Sequence, residues 1–198
     1  MAWFYKTIRF LPERRNNEAL VSKCLRVLHS FNYEYETRNI GVSFPMWCEQ
    51  TIGNQLTFVS MDRMQLDYLL RWHSYFDEMV RLGYFAVSNT QEVPESINYV
   101  AFERNCSIDR LTPVGHAKKL KRLKERAEAR GEVFEPKKYY SRTSISVDGH
   151  YHSIENVSNK KFRLNIVRVE TPERATTGYF SSYGLANSEN NYQTVPEI

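Results

Sequence analysis

At 198 residues the chain has room for one large domain or two small ones. Its 41% hydrophobic and 14% aromatic content supplies a core and excludes a disordered polyelectrolyte. No apolar run nears the ~18 residues that cross a bilayer, so no membrane-spanning helix is expected. The net charge is only +4, yet 12 Lys/Arg against 5 Asp/Glu fall between Arg104 and Arg142, while the rest of the chain carries 15 against 18. A surplus gathered into one segment points to a polyanion-binding surface.

Residues 3–10 are aromatic and β-branched and stop near Pro12, which predicts a strand. Asn16 or Asn17 can cap a helix whose apolar positions are Leu20, Val21, Cys24, Leu25, Leu28 and Phe31. Strands follow at 40–44, closed by Pro45, and at 55–60 after the Gly53-Asn54 turn. A helix is expected over 62–82, with Leu66, Leu69, Leu70, His73, Phe76 and Val80 on its packing face, then a strand at 84–88. The order βαββαβ predicts a ferredoxin-like layer of helices on an antiparallel sheet, an arrangement shared by RNA-recognition domains and many unrelated proteins.

Past Pro94 the pattern changes. A strand at 98–104 precedes the basic helix, and β segments are expected at 139–147, 151–154, 162–169 and 179–183, with a polar tail from Asn187. The fold class is therefore α+β: an N-terminal ferredoxin-like (RRM-like) βαββαβ domain, 1–95, followed by a divergent β-rich C-terminal domain, 96–198, that carries the basic helix 113–130.

Pro113 suits the first turn of that helix and Gly131 its end. At about 100° per residue Ala117, Leu120, Leu123 and Ala127 share one face, while Lys118, Lys119, Arg122, Arg126 and Arg130 fall roughly opposite. Cations at that spacing climb about 6 Å per step, similar to the phosphate separation along a nucleic-acid strand. The plainer alternative is a solvated amphipathic helix with Glu125 and Glu128 as partial neutralisers.

Three cysteines, Cys24, Cys48 and Cys106, lack CxxC spacing, and the opening MAWFYKTIRFLPERR is charged within six residues. Both point to a reduced, cytoplasmic protein without a cysteine zinc site. His73 reads as a hydrogen-bonded packing residue, and His116 lies in the first turn of the basic helix. His150 and His152 would face one side of a strand, but no third and fourth metal ligand accompanies them. His29 lies about 115° from the centre of its helix's apolar face. It is either a surface histidine near the negative end of the helix dipole or an acid/base residue above a substrate.

Four blocks in order, VLHSF with His29, RNIGVSFP from Arg38, FRLNI from Phe162 and FSSYGLAN from Phe180, resemble the type I-F CRISPR endoribonuclease. That family cuts CRISPR precursor RNA at the repeat hairpin and keeps the mature guide RNA as the hairpin-binding subunit of the Cascade complex. The opening WFYKTIRFLPE and the closing NSEN and VP look closest to the versions encoded with CRISPR-associated transposons.

By position the resemblance implies that His29 is the catalytic histidine and Tyr183 the tyrosine that orients it. Ser153 in HYHS matches the serine that holds the attacking 2′-hydroxyl, with Ser158 as the alternative because the stretch to Phe162 is longer than the family spacing. Phe162 matches the aromatic that stacks beneath the last base pair. Lys118, Lys119, Arg122 and Arg126 stand where the family has an arginine-rich helix in the hairpin's major groove, and Arg104 is the counterpart of its base-reading linker. Lysine is a point charge where arginine offers a fork, so base reading along this helix is expected to be looser.

The function implied is metal-independent cleavage by the RNA's 2′-hydroxyl, needing no cofactor, with the CRISPR repeat hairpin and Cascade backbone subunits as partners. A transposition targeting protein is a further candidate partner. Two alternatives stand beside it: a catalytically silent hairpin-binding subunit of the same complex, and a generic RNA-recognition-type regulator. For the latter, Phe4, Phe58 and Phe85 lie on strands without assembling its aromatic signature.

Overall fold

The structure, a computed structural model, describes residues 2–95, 97–106, 108, 113–136, 150–155, 163–171, 179–186 and 193–198. It forms two compact units, 1–104 together with 151–198, and 105–150. The strand expected at 139–147 lies outside the described residues.

In the first unit, β1 (Phe4–Phe10) buries Ile8 and Phe10 and exposes Arg9 between them, the alternation of a sheet with one covered face. Helix α1 (Asn17–Glu34) starts where the Asn16 side chain accepts the Ala19 N–H at 2.8 Å. It buries Val21, Cys24, Leu25, Leu28 and Phe31. Strands β2 (Gly41–Ser43) and β3 (Gln55–Ser60) pair antiparallel, and β3 in turn pairs with β1, Phe4 opposite Ser60. With β4 (Phe85–Val87) on the other side of β1, the order is β2-β3-β1-β4, the split βαβ arrangement of a ferredoxin-like sheet. A two-residue strand β5 (Gln91–Glu92) also pairs with β1.

The helix expected over 62–82 is two helices, α2 (Arg63–Trp72) and α3 (Ser74–Arg81). His73 breaks it: its backbone is extended at φ −120°, ψ 128°, and its ring Nδ1 accepts the Tyr75 N–H at 3.0 Å. It is an exposed cap rather than a packing residue, because an imidazole with a free lone pair competes for an N–H that a continuous helix would use. Val80, on the far side of the break, is 44% exposed and leaves the packing face.

A second antiparallel sheet, ordered β7-β8-β6-β9, is built from β6 (Tyr99–Arg104), β7 (Tyr151–Glu155), β8 (Arg163–Thr171) and β9 (Val195–Pro196). The end of the polar tail is thus pinned: Gln193, Thr194 and Val195 are buried, and Ser43 Oγ donates to the Pro196 carbonyl at 3.2 Å. One core joins the two sheets. Phe102 of β6 meets Phe44 edge-on at 4.9 Å, and Phe180 meets Trp3 edge-on at 6.2 Å. Phe180 lies so close to β2 that a Cβ on Gly41 would sit 2.5 Å from its ring, which only glycine permits.

Residues 179–183 form a loop ending in a turn, not the strand expected there. Ser181 N–H donates to the Leu185 carbonyl at 2.8 Å, and Gly184 N–H returns to the Ser181 carbonyl at 2.9 Å with φ 74° at the glycine. Local closure by Ser181 and Gly184 outweighs β propensity.

The second unit carries α4 (Pro113–Ala129). It ends at Gly131, φ 71°, where Gly131 N–H reaches Glu128 O at 3.0 Å and Glu132 N–H reaches Ala127 O at 2.9 Å, a Schellman closure. Among the described residues no helix is long and apolar enough to cross a membrane.

Candidate functional site

His29 lies in the last third of α1, and its ring is stacked face to face on Tyr183, centroids 4.4 Å apart and planes 9° from parallel. The turn that carries Tyr183 is tied to the N-terminal layer at several points. Phe180 N–H donates to Arg38 O at 2.8 Å, Val42 N–H to Gly184 O at 2.9 Å, and Asn32 Nδ2 to Ser182 O at 3.0 Å. Gly184 itself has no room for a side chain, since a Cβ there would meet Leu28 and Val42 at 2.8 Å. The stack is therefore held by backbone, and its partner ring does not depend on a flexible loop.

His29 is half-buried, not projecting freely as its helical angle suggests, because Tyr183 from the far end of the chain covers it. Its Nδ1 is enclosed without a hydrogen-bond partner among the described residues. Burial, and next the Arg38 guanidinium, hold its pKa below the ordinary histidine value. It is neutral at pH 7, with a lone pair available to accept a proton. Arg38 is fixed by donating to the Asn32 and Thr37 carbonyls at 2.9 and 2.8 Å, near the end of α1. Burial raises the Tyr183 hydroxyl's pKa, against the opposing influence of Arg104 and Arg26. Arg104, exposed at the end of β6, is thereby placed within electrostatic reach of the stack. At the end of α1 a hollow of about 350 Å³ is lined by Asn32, Tyr33, Glu36, Arg38 and Tyr179.

Ser153 is half-buried on β7, the strand of the second sheet against which α1 packs. It pairs across the ladder with Asn165, and its Oγ donates to Asn165 Oδ1 at 2.5 Å. Its neighbour His152 turns inward, where Nε2–H donates to the Cys48 carbonyl at 2.8 Å and the ring stands edge-on to Trp47 at 4.4 Å. His150 is exposed and precedes the strand, so the two histidines do not share a strand face as the spacing suggested. Among the described residues no three His, Cys, Asp or Glu gather as a metal site. Phe162 and Ser158 lie outside the described residues.

In the second unit Lys118, Lys119, Arg122 and Arg126 are exposed on α4 and form no ion pair with any described residue. Glu125 and Glu128 instead face Lys121 and Lys124, at 3.9 and 3.7 Å. The acidic residues of the helix thus leave its 118–122–126 row open to an anion, where the sequence allowed them to neutralise it.

Three residues near these groups were not singled out from the sequence: Arg26, Arg38 and Asn165. Arg26 had a signal, three residues before His29 on one helix. Arg38 and Asn165 act through contacts across the sheets, which periodicity does not carry.

A family model described as CRISPR-associated protein (Cas_Csy4) matches residues 5–198. No curated protein matches the chain.

Proposed function

The chain belongs to the CRISPR-associated Csy4 family of type I-F endoribonucleases, which process CRISPR precursor RNA, and on that premise we propose that it cuts the precursor at the repeat hairpin with the RNA's own 2′-hydroxyl as nucleophile. The reading rests on the His29–Tyr183 stack: an imidazole held neutral, oriented by a backbone-anchored ring, on a helix packed against the Ser153 strand. With Nδ1 enclosed, Nε2 is the nitrogen left to meet a substrate.

In this reaction the 2′-oxygen gives its proton to His29 and bonds to the adjacent phosphorus. The bond from phosphorus to the 5′-oxygen breaks, that oxygen takes a proton from water, and His29 returns its own proton to solvent. The products are a 2′,3′-cyclic phosphate and a 5′-hydroxyl end. No step needs a metal ion. Proton transfer by a positioned histidine contributes ~10²–10⁴-fold, and positioning of the nucleophile supplies much of the remainder. Ser153 accepts the hydrogen bond of the 2′-hydroxyl before attack, and Phe162 stacks under the stem.

The open row of α4 cations binds hairpin phosphates, and Arg104 contacts the RNA near the stack. An A-form major groove is narrow, so the helix engages the stem near an open end. The protein stays on the 3′ hairpin as a subunit of a Cascade complex, and the transposon-like terminal segments support a transposition targeting protein as a further partner. The test is to sequence RNA that co-purifies with the chain. Spacer-length RNA with one uniform 3′ hairpin supports the reading, and heterogeneous RNA without that end overturns it.

A further inference from the structure

Asn165 is 1% exposed on β8, between the buried aliphatic Leu164 and Ile166, where an apolar residue would be the ordinary occupant. It faces Ser153 in the β7–β8 register, and the two side-chain oxygens are 2.5 Å apart. That length belongs to an O–H···O bond, shorter than the usual N–H···O range, so the serine proton lies between Oγ and Oδ1. A hydroxyl has one proton and two lone pairs. With its proton taken by Asn165, Ser153 can only accept from an incoming group.

We propose that Asn165 is a specificity-determining positioning residue: it fixes Ser153 as a hydrogen-bond acceptor, so that the site selects a sugar carrying a donor at its 2′ position. The inference rests on Ser153 being the residue that meets the 2′-hydroxyl. No proton changes owner in this recognition step; the bond to Oγ is released when the 2′-proton passes to His29. A ribose satisfies such a serine, whereas a 2′-fluoro sugar, which keeps the ribose-like pucker but only accepts, leaves two acceptors face to face.

The test is hairpin binding by the His29→Ala protein, with either hydroxyl or fluorine at the single 2′ position 5′ of the cut. Hydroxyl is expected to bind ~3–10-fold tighter, the worth of one hydrogen bond. Asn165→Leu frees the serine proton, and the preference should fall to near 1. Asn165→Ala reports the same loss without added bulk should the leucine variant not fold. Asn165→Asp keeps an acceptor and should restore the preference. In a Ser153→Ala background the preference should be absent, and Asn165→Leu should change nothing further. A preference that survives in both Asn165→Leu and Asn165→Ala overturns the inference. A preference that survives in Ser153→Ala instead shows that Ser153 is not the residue at the 2′-hydroxyl, a separate failure.

Discussion

Replacing Lys118, Arg122 and Arg126 together by glutamine should flatten the salt dependence of hairpin binding more than it changes the fold. All three side chains are exposed and without ion pairs among the described residues, so the exchange removes charge at the cost of one long hydrogen bond, Arg122 Nε–H to the Lys118 carbonyl at 3.4 Å. Each phosphate neutralised on a duplex adds about 0.9 to the slope of log affinity against log salt. Four cations, counting Lys119, give a slope near −3.6, a loss of about 150-fold between 50 and 200 mM salt. The triple variant should lower that slope by about 2.7. Lys124→Gln is the control. Lys124 pairs with Glu128 at 3.7 Å and points about 160° away from the centre of the 118–122–126 row at 100° per residue. Its slope should stay near that of the parent. The assay is fluorescence anisotropy of labelled hairpin across a salt series, in the His29→Ala background so that no RNA is cut. An unchanged slope in the triple variant, or an equal change for Lys124→Gln, would refute the assignment of this face to the RNA.

Other outcomes follow from the stack and its supports. His29→Ala should reduce single-turnover cleavage by at least ~10²–10⁴-fold while leaving hairpin affinity within twofold, as filter binding and product gels would show. Because burial and Arg38 lower the His29 pKa, the neutral base persists below the ~6.5 of a free imidazole. The acidic limb of the pH–rate profile should therefore fall below that value, and Arg38→Gln should move it upward; a limb that does not move removes Arg38 from the electrostatics. The same depressed pKa makes His29 a source of stability that is complete above the unfolded value and lost as pH drops through the folded one. Tyr183→Phe should keep the stack and most of the rate, whereas Tyr183→Ala should cost activity and raise the midpoint of the acidic limb, since it removes the cover that desolvates the imidazole. Gly41→Ala forces a Cβ into the Phe180 ring and should destabilise by ~1–3 kcal/mol, visible as a lower melting temperature.

The split βαβ sheet was legible where an element buries one face, so that periods of 2 and 3.6 survive in Ile8 and Phe10 or in Leu25, Leu28 and Phe31; β2 and β3, buried on both faces, showed instead as short apolar runs closed by turn residues. The break at His73 was not, because a ring nitrogen that caps a helix reads the same as one that packs. Tyr179, Phe180 and Tyr183 are aromatics that suit a strand, while the turn signal lay in Ser181, Ser182 and Gly184. The core that joins the two sheets depends on Phe102 and Phe180 meeting residues far away in sequence. His29 was singled out through its VLHSF block. That its ring is covered by Tyr183, and that the Ser153 hydroxyl donates to Asn165, are facts of tertiary packing with no periodic trace.

The central claim is that the substrate supplies its own nucleophile. It is tested by giving the wild-type protein a hairpin precursor with one 2′-deoxy sugar at the nucleotide 5′ of the cut, in the presence of chelator, beside the all-ribose precursor. Complete cleavage of the ribose substrate to a 2′,3′-cyclic phosphate, and none of the deoxy substrate despite retained binding, is the expected result. Cleavage of the deoxy substrate at a comparable rate would contradict it.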